Sequence, residues 1–199
     1  MFNRYEYKEH LYIRRGAYSK EACEHAIRTF EKRIDLQQIG RVGRRQIDYE
    51  KKKCTEIFLG RTEYTLFEDT LQSCLKDYVE LNPYLKESVE AFDFEPDLKI
   101  QKYLPGEAFY FEHCENGGNI ASIRRILAWM VYLNDVKDGG HTHFPQQKRK
   151  FQPRRGDVLV WPAYFTHTHY GVTSNTQIKY IATGWCSFMT NEELSKLVS

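Results

Sequence analysis

The chain contains no apolar run that approaches the roughly 20 residues needed to span a bilayer, and its mean hydropathy is −0.64. A membrane-spanning helix is therefore excluded. Cysteine is sparse: the five residues at positions 23, 54, 74, 114 and 186 are odd in number and widely spaced, with no Cys-x-x-Cys pair. That pattern indicates neither a disulfide framework nor a cysteine zinc site. An excess of one charge is missing as well, because 29 basic and 27 acidic residues leave a formal charge of +2. Such a balance argues against wholesale wrapping of nucleic acid. The start, residues 1–8, is polar and lacks the apolar centre of a secretory signal, so a cytoplasmic location with reduced thiols is expected. No repeat, low-complexity tract or flexible linker divides the 199 residues, and a single domain over 1–199 is expected.

Aromatics, by contrast, are plentiful at 15%, including 14 Tyr and 12 Phe, which argues against disorder and for a packed interior or cleft. The first 98 residues read as a helix-rich half. A helix is predicted over 19–35, where Ser19 can cap and Ala22, Cys23, Ala26, Ile27 and Phe30 recur at helical spacing. A second is predicted over 64–78, with Leu66, Phe67, Thr70, Leu71, Cys74, Leu75 and Tyr78 on one stripe and a break at Asn82-Pro83. Between them, 40–53 carries Arg41, Arg44, Arg45 and three consecutive lysines, and reads as a loop with an edge strand. From 99 to 189 the texture changes to short apolar or alternating runs at 99–104, 108–113, 126–133, 158–161 and 178–185. These predict a mainly β half, with a last helix over 190–198 and helices bracing a β-sandwich or jelly roll.

Five of the seven histidines fall in the β half: His113, His141, His143, His167 and His169. His113 and Glu115 stand two apart, and on extended chain such residues project from one face. An imidazole and a carboxylate so placed can share a cation once a third ligand arrives from elsewhere in the fold. Two histidines and one carboxylate on one face of a metal leave the opposite face open, as in non-haem Fe(II) oxygenases. Alone, His-x-Glu is more often a solvated surface pair.

The surrounding motifs, in order, are Tyr103-Leu104-Pro105-Gly106, His113-x-Glu115, Arg125, Tyr132-Leu133-Asn134, Gly139-Gly140-His141-Thr142-His143-Phe144-Pro145, Gly156-Asp157-Val158-Leu159, a distal histidine, Lys179 and Trp185. Taken together over about ninety residues, this array resembles the Fe(II)- and 2-oxoglutarate-dependent dioxygenases of the prolyl 4-hydroxylase type. The resemblance implies a double-stranded β-helix, that is a jelly roll, with Fe(II) held by His113, Glu115 and His169. His169 is chosen over His167 because the family's distal ligand stands about ten residues before the basic cosubstrate residue, here Lys179; His167 remains the alternative. The family usually has Asp where this chain has Glu115, a difference of one carbon–carbon bond, about 1.5 Å.

The resemblance further implies that Lys179 meets the distal carboxylate of 2-oxoglutarate, with Tyr132 assisting it and Tyr103 near the cosubstrate's metal end. Arg125 is carried over as a structural or rim residue. His141 and His143 are read as flanking an inward Thr142, with a rival zinc site open to them. The implied reaction consumes O2 and 2-oxoglutarate, releases succinate and CO2, and hydroxylates a C–H bond of a peptide or protein, foremost a peptidyl proline. Ascorbate is the expected auxiliary reductant. The segment 40–53 is expected to act as a lid. Three other readings stay open: a nucleic-acid demethylase using the basic residues of 41–53 and 148–155, a metal-dependent cupin working without 2-oxoglutarate, and a non-catalytic binding module.

Overall fold

The computed structural model describes residues 5–43, 46–87 and 89–198. Arg44 and Arg45 of the basic segment, and the side chain of Leu66, lie outside the described residues. Twelve strands are present among them: β1 (Tyr5–Lys8), β2 (Leu11–Arg14), β3 (Gln38–Ile39), β4 (Thr55–Leu59), β5 (Phe92–Phe94), β6 (Leu98–Tyr103), β7 (Arg125–Tyr132), β8 (Thr142–Phe144), β9 (Arg149–Phe151), β10 (Val158–Pro162), β11 (Tyr170–Gly171) and β12 (Lys179–Phe188). The helices are α1 (Lys20–Lys32), α2 (Arg61–Glu80), α3 (Pro83–Glu87) and α4 (Asn191–Val198).

All pairings are antiparallel. The larger sheet runs β1-β2-β10-β7-β12-β6-β4-β3, with β5 on β12, and the smaller runs β11-β8-β9. Period-two alternation sends successive residues of each central strand to opposite faces. Leu127, Trp129 and Val131 of β7 join one apolar cluster, while Ala128, Met130 and Tyr132 join another. In β10 the same division places Val158 and Val160 with the first cluster and Leu159 and Trp161 with the second. Both faces of these strands are thus covered, which is why 126–133 reads as an unbroken apolar run.

The first cluster is the seam between the larger sheet and the helices. Cys23, Ala26 and Phe30 of α1 enter it at spacings of three and four, and Ser19 caps the helix by accepting from the Ala22 N–H at 3.2 Å. Phe67, Leu71, Cys74 and Tyr78 of α2 enter it likewise, and Tyr18 donates its hydroxyl to the Phe67 carbonyl. The second cluster lies on the inner face of the larger sheet and includes Phe144 and Phe151 of the smaller one.

One local expectation changes. Residues 108–113 form no continuous strand; the segment makes single bridges at Phe109 with Lys52 and at His113 with His169. Its backbone groups go instead to two separate segments: Lys53 N–H to the Ala108 carbonyl and Tyr110 N–H to the Lys51 carbonyl on one side, and Gly171 N–H to the Phe109 carbonyl on the other. Ahead of α1, the β1–β2 hairpin turns through Glu9 and His10 at φ of 54° and 59°, without glycine or asparagine.

Candidate active site

His113 and Glu115 lie on the loop between β6 and β7, and His169 immediately precedes β11. The His113–His169 bridge, with N–H···O distances of 3.0 and 2.9 Å in its two directions, brings the two segments together. Glu115 Oε1 lies 3.5 Å from His113 Nε2 and 3.4 Å from His169 Nε2, and ligand atoms of all three residues fall within 4.8 Å of one another.

The proton arrangement suits a cation. His113 Nδ1 is 2.8 Å from the Phe111 carbonyl and His169 Nδ1 is 3.1 Å from the His167 carbonyl. Each carbonyl accepts an Nδ1–H, which orients the ring and leaves Nε2 as the nitrogen directed at Glu115. Burial, reinforced by the neighbouring His169, lowers the His113 pKa. Burial opposes charge on Glu115, but His113 and His169 more than offset it and hold its carboxyl well below the usual range. A carboxylate held ionised beside an imidazole whose charged form is disfavoured by burial is a pairing that suits metal ligation. The residues present therefore fit a divalent metal, and the open side of the triad faces a cavity of about 830 Å³.

Glu115 is braced from behind. Its Oε2 accepts the Trp185 indole N–H at 2.6 Å, and the Arg125 guanidinium lies 3.6 Å over the same indole. Arg125 is held in turn by Glu95 through contacts of 2.9 and 3.1 Å. Phe109 stacks on the His113 ring at 3.7 Å. The extra methylene of Glu115 is thus accommodated with the carboxylate fixed on both oxygens.

The floor of the cavity is the inner face of β4, β6 and β12, to which Glu56, Gln101, Tyr103, Lys179, Ile181 and Trp185 contribute. Lys179 is 5% exposed, and its Nζ donates to the Gly140 carbonyl at 3.0 Å. That carbonyl is delivered by a turn in which Gly139 and Gly140 take φ of 63° and 70°; a side chain on Gly139 would strike the Thr173 carbonyl. Burial pushes the ammonium's pKa down to about 8, and among the described residues no carboxylate pairs with it.

The other expected residues divide. Tyr103 lines the cavity, but its ring lies 4.7 Å from Lys179 Nζ, which puts it at the lysine end rather than the metal end. Its hydroxyl donates to Gln101 Oε1 at 2.9 Å, and Gln101 donates to Glu56 at 2.8 Å. Tyr132 does not reach the lining: its hydroxyl lies 2.9 Å from the Phe151 carbonyl and 2.8 Å from the Thr142 hydroxyl, so it supports Thr142, which does line it. His167 is buried with its Nε2 2.9 Å from the Glu9 carbonyl, outside the triad. His143 Nδ1 is 2.7 Å from the Tyr170 hydroxyl, and His141 flanks Thr142 on the other side, so neither joins the triad. Trp185 and Phe109 act on the triad through contacts that no local motif announces.

Residues 98–187 match the model of the 2OG-Fe(II) oxygenase superfamily. That match takes in slightly less than half of the chain and makes its β-rich part similar to these oxygenases. A protein of Acanthamoeba polyphaga mimivirus named "Putative prolyl 4-hydroxylase" is 34% identical over 113 residues, covering 47% of this chain and 46% of its own. The Arabidopsis thaliana "Probable prolyl 4-hydroxylase 8" is 26% identical over 133 residues, covering 65% of this chain and 43% of its own. The chain thus spans about half the length of these curated relatives. In fold, the chain is similar to the viral collagen prolyl hydroxylase of Paramecium bursaria Chlorella virus-1, with a TM-score of 0.70 at 20% identity over 91% of this chain and 97% of that one. A Trichoplax adhaerens prolyl hydroxylase, solved with a hypoxia-inducible-factor peptide fragment, gives a TM-score of 0.69 at 14% identity over 96% and 88%. These likenesses agree with the jelly-roll expectation and do not favour the demethylase or cupin readings.

Proposed function

We propose that the protein is an Fe(II)- and 2-oxoglutarate-dependent dioxygenase that hydroxylates a peptidyl proline, with release of succinate and CO2. The observation that carries the reading is one cavity holding both the His113–Glu115–His169 cluster and the buried, carboxylate-free ammonium of Lys179. His113, Glu115 and His169 would hold the metal through two Nε2 atoms and one carboxylate oxygen. When bound, Fe(II) with 2-oxoglutarate supplies the oxidising power for cleaving a C–H bond with O2.

The chain's own residues bind and orient. Lys179 meets the distal carboxylate of 2-oxoglutarate, whose charge offsets the cost of burying the ammonium. Tyr103 packs beside that lysine, and Thr142, set by Tyr132, offers a hydroxyl from the smaller sheet. Phe109, Trp161 and Trp185 line the cavity with apolar surface that keeps water from the reacting centre. Arg41, Val42, Gly43 and Gln46 of the basic segment form another part of the wall, which is the placement a lid requires. Ascorbate would serve as reductant after turnovers that go astray. An oxygen-dependent gain of about 16 Da, one oxygen atom, on proline-containing peptides tests the substrate class, with alanine-substituted peptides, free amino acids and alkylated oligonucleotides as comparisons. Modification confined to an amino acid or a base would overturn the peptide reading and leave the metal site standing.

A further inference from the structure

One cavity-lining cation plays no part in the function so far. Lys99 stands on β6, where alternation turns Lys99, Gln101 and Tyr103 toward the cavity and Leu98 and Ile100 away from it. Its Nζ lies 5.0 Å from the Phe58 ring and 4.9 Å from the Trp185 ring. Among the described residues it makes no ion pair within 4.0 Å and no hydrogen bond. The neighbouring cations are engaged: Lys52 holds Glu56 at 2.8 Å, and Arg125 holds Glu95. Asp97 lines the same mouth and is exposed, yet it does not pair with Lys99.

The position excludes a role in holding the cosubstrate. Lys99 is paired across the sheet with Thr183, whereas Lys179 is paired with Tyr103. Four residues of strand separate the pairs, about 13 Å at 3.3 Å per residue. A five-carbon diacid is about 6 Å from end to end on ordinary bond lengths. The Lys99 side chain also leans toward Trp185, which continues β12 in the direction away from Lys179. Trp185 itself touches both centres, donating its N–H to Glu115 while its face carries the ammonium. An anion held by Lys99 would therefore sit one indole ring from Glu115, within the same cavity.

We infer that Lys99 anchors a carboxylate of the substrate, so that the preferred peptide carries an aspartate or glutamate close to the modified residue. The aromatic clamp of Phe58 and Trp185 removes most of the lysine's conformational freedom before binding, which lowers the cost of association. Burial already lowers the ammonium's pKa, and a bound carboxylate would raise it again. The inference rests on the proposed function for the statement that the anion belongs to a peptide.

The test is direct binding. Fluorescein-labelled peptides with one proline flanked by Glu, Gln or Lys are titrated into the full chain loaded with Mn(II) and 2-oxoglutarate, and binding is read by anisotropy. A cooperative thermal melt establishes that each variant is folded. The Glu peptide is expected to bind about tenfold or more tightly than the Gln peptide, as a charge-assisted contact implies. Lys99→Arg should keep the preference, Lys99→Met should abolish it, and Lys99→Glu should reverse it in favour of the Lys peptide. Equal binding of all three peptides by the wild type, or a preference that survives in Lys99→Met, overturns the assignment. If no peptide binds, the peptide reading fails, and N-acetylglutamate followed by saturation-transfer NMR decides the anchor. A wild-type signal lost in Lys99→Met sustains it, and no wild-type signal rejects it.

Discussion

Replacing Lys179 by methionine should strengthen the fold while weakening the site. The ammonium is buried with one hydrogen bond, to the Gly140 carbonyl, and its pKa is pushed down from 10.5 to about 8. That depression corresponds to about 3 kcal/mol of unfavourable free energy for carrying the charge at neutral pH in the absence of an anion. Between pH 8 and 10.5 the unfolded chain holds this proton and the folded chain does not, so the lysine's contribution to stability rises with pH through that window. Lys179→Met removes both the penalty and its pH dependence. At pH 7 the variant should be more stable than the wild type by up to about 3 kcal/mol, less the lost hydrogen bond. The advantage should shrink toward pH 10. Urea denaturation of both proteins at pH 7 and pH 10 measures this difference and cancels the titration of other groups. Binding of 2-oxoglutarate should move the other way, weakening by about 2 to 5 kcal/mol. In the wild type its affinity should fall up to tenfold per pH unit above about 8. A variant that is less stable at pH 7, with unchanged cosubstrate affinity, would refute the reasoning.

Three further outcomes follow from particular contacts. His169→Ala should abolish Mn(II) binding measured by calorimetry, whereas His167→Ala should retain it, because His167 Nε2 faces the Glu9 carbonyl and not the triad. Trp185→Phe removes the indole N–H that fixes Glu115 Oε2, and the metal affinity should fall about 10- to 100-fold, the usual effect of losing a group that orients a ligand. Gly184→Ala places a Cβ 2.5 Å from the Trp129 ring and should destabilise the fold by about 1 to 3 kcal/mol, read from the denaturation midpoint.

Much of this architecture is legible in the chain because the decisive signals are local. The stripes of α1 and α2, the two-faced burial of β7 and the i,i+2 placement of His113 and Glu115 depend only on near neighbours in sequence. The resemblance selects His169 over His167 by its spacing to Lys179, and His169 is the histidine that lies with His113 and Glu115. What escaped depends on contacts between distant segments. Residues 108–113 have a strand's composition, yet Lys51, Lys53, His169 and Gly171 each take a separate backbone partner there. Tyr132 was expected at the cosubstrate, but Phe151 and Thr142, brought in by the smaller sheet, occupy its hydroxyl. Trp185 behind Glu115 and the clamp around Lys99 arise only when β4, β6 and β12 lie side by side.

Conversion of 2-oxoglutarate to succinate by the Fe(II)-loaded protein under oxygen, with and without proline-containing peptides, tests the central claim most directly. The expected result is succinate formation that is stimulated by a peptide, matched by hydroxylated product, and lost in both His169→Ala and Lys179→Met at limiting 2-oxoglutarate. Fe(II) binding at the triad with no consumption of 2-oxoglutarate, or consumption that is indifferent to Lys179, would contradict the account.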